Sequence, residues 1–91
     1  IQFNNTDEAR KKLQKEILKL ALSSLDKTPF EDRDQSSMTM AINKEKLPEA
    51  KERIKKFRRE LSQFLNEGET NNEVYNLSIS LYPVTVKDLN E

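Results

Sequence analysis

Two groups of side chains in this 91-residue chain are spaced for chemistry, one acidic and one basic. Asp26, Glu31, Asp32 and Asp34 lie close in sequence and offer oxygen ligands of the kind a hard cation takes. Their spacing departs from the alternating ligands of an EF-hand loop, and no Gly stands where that loop turns sharply. Turn chemistry accounts for them better: Arg33 can pair with neighbouring acids, and Asp32 and Asp34 can accept from nearby backbone amides. Between Lys51 and Arg59, the bases Lys51, Arg53, Lys55, Lys56, Arg58 and Arg59 stand against Glu52 alone. On the exposed side of a helix such a stretch neutralises phosphates. Glu49 and Glu52 precede Arg53 and Lys56 at the favoured i, i+4 orientation, and Glu60 lies one turn beyond Lys56, so acids answer part of that charge. No aromatic residue interleaves the bases as in single-strand binders, since Phe57 belongs to an apolar stripe. Nucleic-acid contact through Lys51, Lys55, Arg58 and Arg59 is therefore the alternative reading.

Most other catalytic vocabulary is absent. The chain has no His and no Cys, which removes Cys/His zinc sites, histidine bases, the usual nucleophilic triads and disulfides. One Gly, Gly68, cannot build a Gly-rich phosphate cradle. Asp32 and Asp34 could serve as acid and base, but no other residues arrange a pocket around them. Met38 and Met40 read as apolar filler rather than a soft metal site. The expectation is a protein that is not an enzyme, with no catalytic residue, metal site or cofactor. Sixteen Lys+Arg balance sixteen Asp+Glu, so no global attraction to nucleic acid or anionic membrane is expected. No apolar run approaches the roughly 20 residues of a membrane span, and the first residues lack the pattern of a secretory signal. A cytoplasmic location is the default.

The elements that must position these groups follow from periodicity. Thr6, with Asp7 and Glu8 behind it, predicts a helix start, and the helix should run to about Asp26. Leu13, Ile17, Leu20, Ala21 and Ser24 form its apolar stripe, widened by Leu18, Leu22 and Leu25. Arg10, Lys11, Lys12, Lys15 and Lys19 lie mostly off that stripe and read as a solvated face. Thr28-Pro29-Phe30-Glu31 has the form of a capping box opening a short turn. Residues 36–42 alternate, with Met38, Met40 and Ile42 on one side, and predict a strand closed by Asn43. Pro48 begins a second helix, in which Leu47, Ala50, Ile54, Phe57, Leu61 and Phe64 recur at intervals of three and four, and which should stop at Gly68 after about Glu67. Tyr75, Leu77, Ile79 and Leu81 alternate with Asn76, Ser78, Ser80 and Tyr82 as a second strand that ends at Pro83.

That order, helix-strand-helix-strand, predicts an α+β fold of one domain over 1–91, with 1–5 and 86–91 frayed. It contains a βαβ unit whose small sheet is covered by two helices on one face. Two strands alone leave open edges, so the sheet should be extended by a homodimer in which Tyr75, Leu77, Ile79, Leu81 and Tyr82 supply the interface. The start at Ile1 rather than Met reads as a piece cut from a longer protein. Nothing in the residues identifies a small-molecule effector.

Several ordered motifs add a resemblance. Leu18-Lys19-Leu20-Ala21, Ser24-Leu25-Asp26, Pro29, Glu31, Arg33-Asp34 and Ser36 to Thr39 are followed by Leu47-Pro48-Glu49-Ala50-Lys51, Phe57-Arg58 and Val74-Tyr75-Asn76-Leu77 to Leu81-Tyr82-Pro83-Val84-Thr85. Together they resemble the closing region of an uncharacterised bacterial family whose members look like transcriptional regulators. The resemblance covers most of positions 15 to 85 and contains no catalytic signature. It implies a noncatalytic C-terminal regulatory or dimerisation domain, with a helix-turn-helix-like region upstream through which DNA would be bound. That region is not in this chain, so the resemblance carries over no DNA-reading residue.

Overall fold

Between Gln2 and Lys27 there is no Pro and no Gly, so no residue interrupts the i→i−4 hydrogen-bond ladder. In the computed structural model, which describes residues 2–68 and 70–85, this whole stretch is one helix, α1 (Gln2–Lys27). At 1.5 Å per residue it is about 39 Å long. Thr6, the expected cap, lies inside it. The amide of Thr28 still donates to the Ser24 carbonyl at 2.9 Å, but Pro29 has no N–H to continue the ladder and the helix ends. Phe30–Asp32 forms a single 3₁₀ turn, closed by the Asp32 amide donating to the Pro29 carbonyl at 3.0 Å. This turn has no side-chain cap, so the capping box expected from Thr28 and Glu31 is not made.

Asn43 does more than end a segment. Its Oδ1 accepts from the Glu45 amide at 3.0 Å and opens a 3₁₀ turn, Lys44–Lys46, that runs directly into α2 (Leu47–Leu65). Pro48 sits in the first turn, where a missing N–H costs nothing. The helix stops two residues short of Glu67, and Gly68 takes a φ of 110°, the left-handed conformation that a residue without Cβ adopts freely.

The expected α+β fold is not found. Among the described residues there are two helices, two short 3₁₀ turns and irregular chain, with no strand and no sheet. The βαβ unit, the sheet covered by two helices on one face, and the extension of that sheet across a dimer are all corrected by this. Alternation concerns the side chains alone, and a strand is only half of an interaction, because its backbone groups need a neighbour about 4.8 Å away. The second segment nevertheless comes close to the first half of the chain at two places. The Tyr75 hydroxyl donates to the Asp32 carbonyl at 2.8 Å, and further along Leu81 shares a cleft with Met40 and Ile42.

None of residues 6–68 or 70–85 is buried. Among the described residues no Cα of α1 lies within 8 Å of a Cα of α2, so the two amphipathic helices do not pack on each other. The Cα radius of gyration is 16.7 Å, against about 12 Å for a compact domain of this length. The residues called frayed at 86–91 lie outside those described, and residues 2–5 belong to α1.

Candidate interaction surface

Side chains three and four residues apart share a helix face, so α1 must present its leucines together. They are open to solvent: Leu20 is 60% exposed and Leu22 68%, and Leu13, Leu18 and Leu25 are likewise exposed. Only Ile17, Ala21, Ser23 and Ser24 on this part of the helix are half-buried. What shields Ala21 and Ser24 is polar. Gln35 Nε2 donates to the Ala21 carbonyl at 2.8 Å and to Ser24 Oγ at 3.1 Å, while Ser24 Oγ donates to that same carbonyl at 2.8 Å. Arg33 Nη1 donates to Gln35 Oε1 at 3.3 Å, Arg33 Nε donates to the Thr28 carbonyl at 3.0 Å, and the guanidinium stands 5.7 Å from the Phe30 ring centroid. This clasp folds residues 28–35 back on the C-terminal end of α1. It covers one edge of the apolar face and leaves the leucines uncovered.

α2 is treated differently by its own chain. Met40, Ala41, Ile42, Asn43, Lys46 and Leu81 line, together with Leu47 and Ala50, an open and mainly apolar cleft of about 310 Å³. Leu47, Ala50, Ile54 and Leu61 are half-buried, whereas Phe57, Phe64 and Leu65 further along the stripe are exposed.

On the flank of that stripe, Lys51, Lys55, Arg58 and Arg59 recur at i, i+4, i+7 and i+8 and so fall on one face of α2. Lys55, Arg58 and Arg59 line a common open depression. The ion pairing differs from the spacing argument in one respect. Glu49 pairs with Arg53 at 3.1 Å as expected, but Glu52 pairs with Lys55 at 3.5 Å rather than with Lys56. Among the described residues Lys51, Arg58 and Arg59 have no acid within 4.0 Å. The carboxylates at Asp26, Glu31, Asp32 and Asp34 are not gathered around a common point, and the described residues contain no group of three or more acids placed to hold a metal ion.

Of the residues expected at a dimer interface, Tyr75, Leu77, Ile79, Leu81 and Tyr82 are all exposed, with Ile79 and Leu81 least so at about 40%. The Tyr75 hydroxyl is anchored on the Asp32 carbonyl. Sequence reasoning missed Gln35 as the residue that fixes the connector, because its partners lie 14 and 11 positions away and one of them is a backbone carbonyl. It also missed the cap made by Asn43, although Asn followed at two residues by an acid before Leu-Pro is a usable helix-start signal.

Among the described residues no helix is long and apolar enough to cross a membrane. The chain matches no curated protein and no solved structure. A family match does extend over nearly all of it, including both helices, the clasp, the cleft and the basic band. Across residues 2–84 the chain belongs to the family described as Domain of unknown function (DUF4423).

Proposed function

We propose that this domain is a noncatalytic dimerisation module, the C-terminal regulatory part of a bacterial transcriptional regulator. The observation that carries the reading is the set of apolar side chains, Leu13, Leu18, Leu20, Leu22 and Leu25 on α1 and Phe57, Phe64 and Leu65 on α2, that the described residues leave exposed. Burying a leucine stabilises by roughly 1.5–3 kcal/mol, and a face of several of them left in water forgoes most of what holds a small domain together. In a regulator, a twofold pair of such modules would set the spacing of two DNA-reading regions on paired half-sites. Multi-angle light scattering across a wide concentration range tests this. A dimer that persists on dilution is the expected result, and a folded monomer at every concentration overturns it.

A second reading has its own support. Lys55, Arg58 and Arg59 share one depression, and Arg58 and Arg59 have no acid partner among the described residues. Four cations, counting Lys51, would give nucleic-acid binding that weakens by roughly 100-fold between 50 and 200 mM salt. An Arg58→Glu, Arg59→Glu double variant should abolish that binding with the helical circular dichroism unchanged. Affinity that is indifferent to salt, or to the double variant, removes this reading.

A further inference from the structure

We infer that the basic flank of α2 seats on the sugar-phosphate backbone of a nucleic-acid duplex, without reading its bases and in preference to a single strand. This rests on the nucleic-acid reading above and names its partner. At about 100° per residue, the arc of α2 that runs from Arg58 to Arg59 also contains Lys51, Ser62, Lys55 and Pro48. All six are exposed, and the arc holds four bases, one hydroxyl and no acid. On the far side of the helix Arg53 and Lys56 are balanced by Glu49 and Glu60. The surplus of α2, six bases against three acids, therefore sits in the arc, with Glu52 at its border. α1 carries five bases between Arg10 and Lys19 but does not sort them in this way. Leu22 falls between Lys11 and Lys15 on that helix, and Lys11 is paired with Glu8 at 3.8 Å, so a polyanion laid along those lysines would meet a leucine and a carboxylate.

Spacing and composition select the duplex. Lys51 and Arg59 stand about 12 Å apart along the helix axis. Over that length a duplex presents about seven phosphate charges, and one strand about half as many. Four cations find a phosphate each on the duplex and exceed the supply of a single strand. Single-strand binders add affinity by stacking bases on aromatic rings. The arc has no ring, and Phe57 and Phe64 stand about 100° or more round the helix from Arg58. It also has no Asn or Gln to pair with an adenine edge. Lys55, Arg58 and Arg59 instead converge on one open depression, which concentrates their charge where a phosphate can sit, and Lys51 adds a cation one turn before Lys55.

Fluorescence anisotropy of the full chain tests this with three labelled probes: a duplex of about 20 base pairs, a second duplex of unrelated sequence, and one of the strands alone. At 50 mM salt the two duplexes should bind within about threefold of each other and at least tenfold more tightly than the strand, with a slope of log affinity against log salt of about −3.6. Arg58→Gln should make that slope shallower by about 1, whereas Lys56→Gln, outside the arc, should leave it unchanged. Both side chains are exposed, so both variants should keep the wild-type helical signal. Equal or tighter binding of the single strand, a preference above tenfold for one duplex, or an equal effect of Lys56→Gln overturns the assignment while the nucleic-acid reading stands. No binding of any probe with protein at about 200 µM, beyond the roughly 10⁻⁴ M of ordinary nonspecific contact, overturns both. Capture by phosphatidylserine vesicles in that case would give the arc to an anionic lipid surface instead.

Discussion

α1 and α2 are both amphipathic, and their own chain serves them in opposite ways. The connector reaches α1 through hydrogen bonds from Gln35 to Ala21 and Ser24, which fix where the chain runs but cover almost none of the leucine face. At α2 the same connector, continued through Met40 and Ile42 and joined by Leu81, lays apolar side chains beside Leu47 and Ala50. A polar clasp of this kind is directional and contributes about 1 kcal/mol per bond, whereas apolar cover is not directional and scales with area. The contrast separates two jobs that are usually done by the same contacts. One end of the molecule specifies geometry with little burial, and the other gains burial with little specification. α1 accordingly keeps the larger share of its apolar face exposed among the described residues.

The sharpest way to break this comparison is to put charge on the exposed leucine face of α1. A Leu18→Asp, Leu22→Asp double variant should weaken self-association at least 100-fold, about 3 kcal/mol, because a carboxylate without a partner is excluded from an apolar contact. Sedimentation equilibrium measures it, and an unchanged mass would mean that the leucine face is not used. Leu81→Ala comes next. It removes cover from the start of α2 and should cost about 1–1.5 kcal/mol in urea unfolding, well below the value for a fully buried leucine because Leu81 is 41% exposed. Gln35→Ala removes the clasp and should cost about 1 kcal/mol with no loss of self-association, since it frees an edge of α1 and not its leucines. The smallest effect belongs to Tyr75→Phe, about 0.5 kcal/mol, because the bond it deletes lies in solvent. If Gln35→Ala disrupted the dimer while Leu18→Asp, Leu22→Asp did not, the roles assigned to the two kinds of contact would be reversed.

How much of this was legible in the sequence depends on the range of each interaction. The 3- and 4-residue recurrences of Leu13 to Ser24 and Leu47 to Phe64 report a local geometry, and both became helices within a few residues of the expected limits. Pro48 and Gly68 worked for the same reason, since each restricts or frees its own backbone. The alternations at 36–42 and 75–82 were equally visible, yet alternation states only that one face differs from the other. Whether the backbone then finds a neighbour depends on another segment, and here the two come together only at the cleft lined by Leu81, Met40 and Ile42, with no ladder among the described residues. Of the candidate site, the basic band was readable from spacing because a helix sets it. The clasp was not, because a glutamine amide that bonds a helix carbonyl 14 residues back leaves no periodic trace.

The Tyr75 hydroxyl bond spans 43 positions, and that span has a cost of its own. Closing a loop of such length removes roughly 3 kcal/mol of chain entropy, against about 1 kcal/mol returned by one solvent-exposed hydrogen bond. The apolar seat of Leu81 must supply the remainder. Residues 70–85 therefore form the least cooperative unit of the described chain, able to open and close while both helices persist. Their amides should exchange with solvent orders of magnitude faster than those at the middle of α2, and a protease should cut there first, leaving a fragment that still contains α1, the clasp and α2.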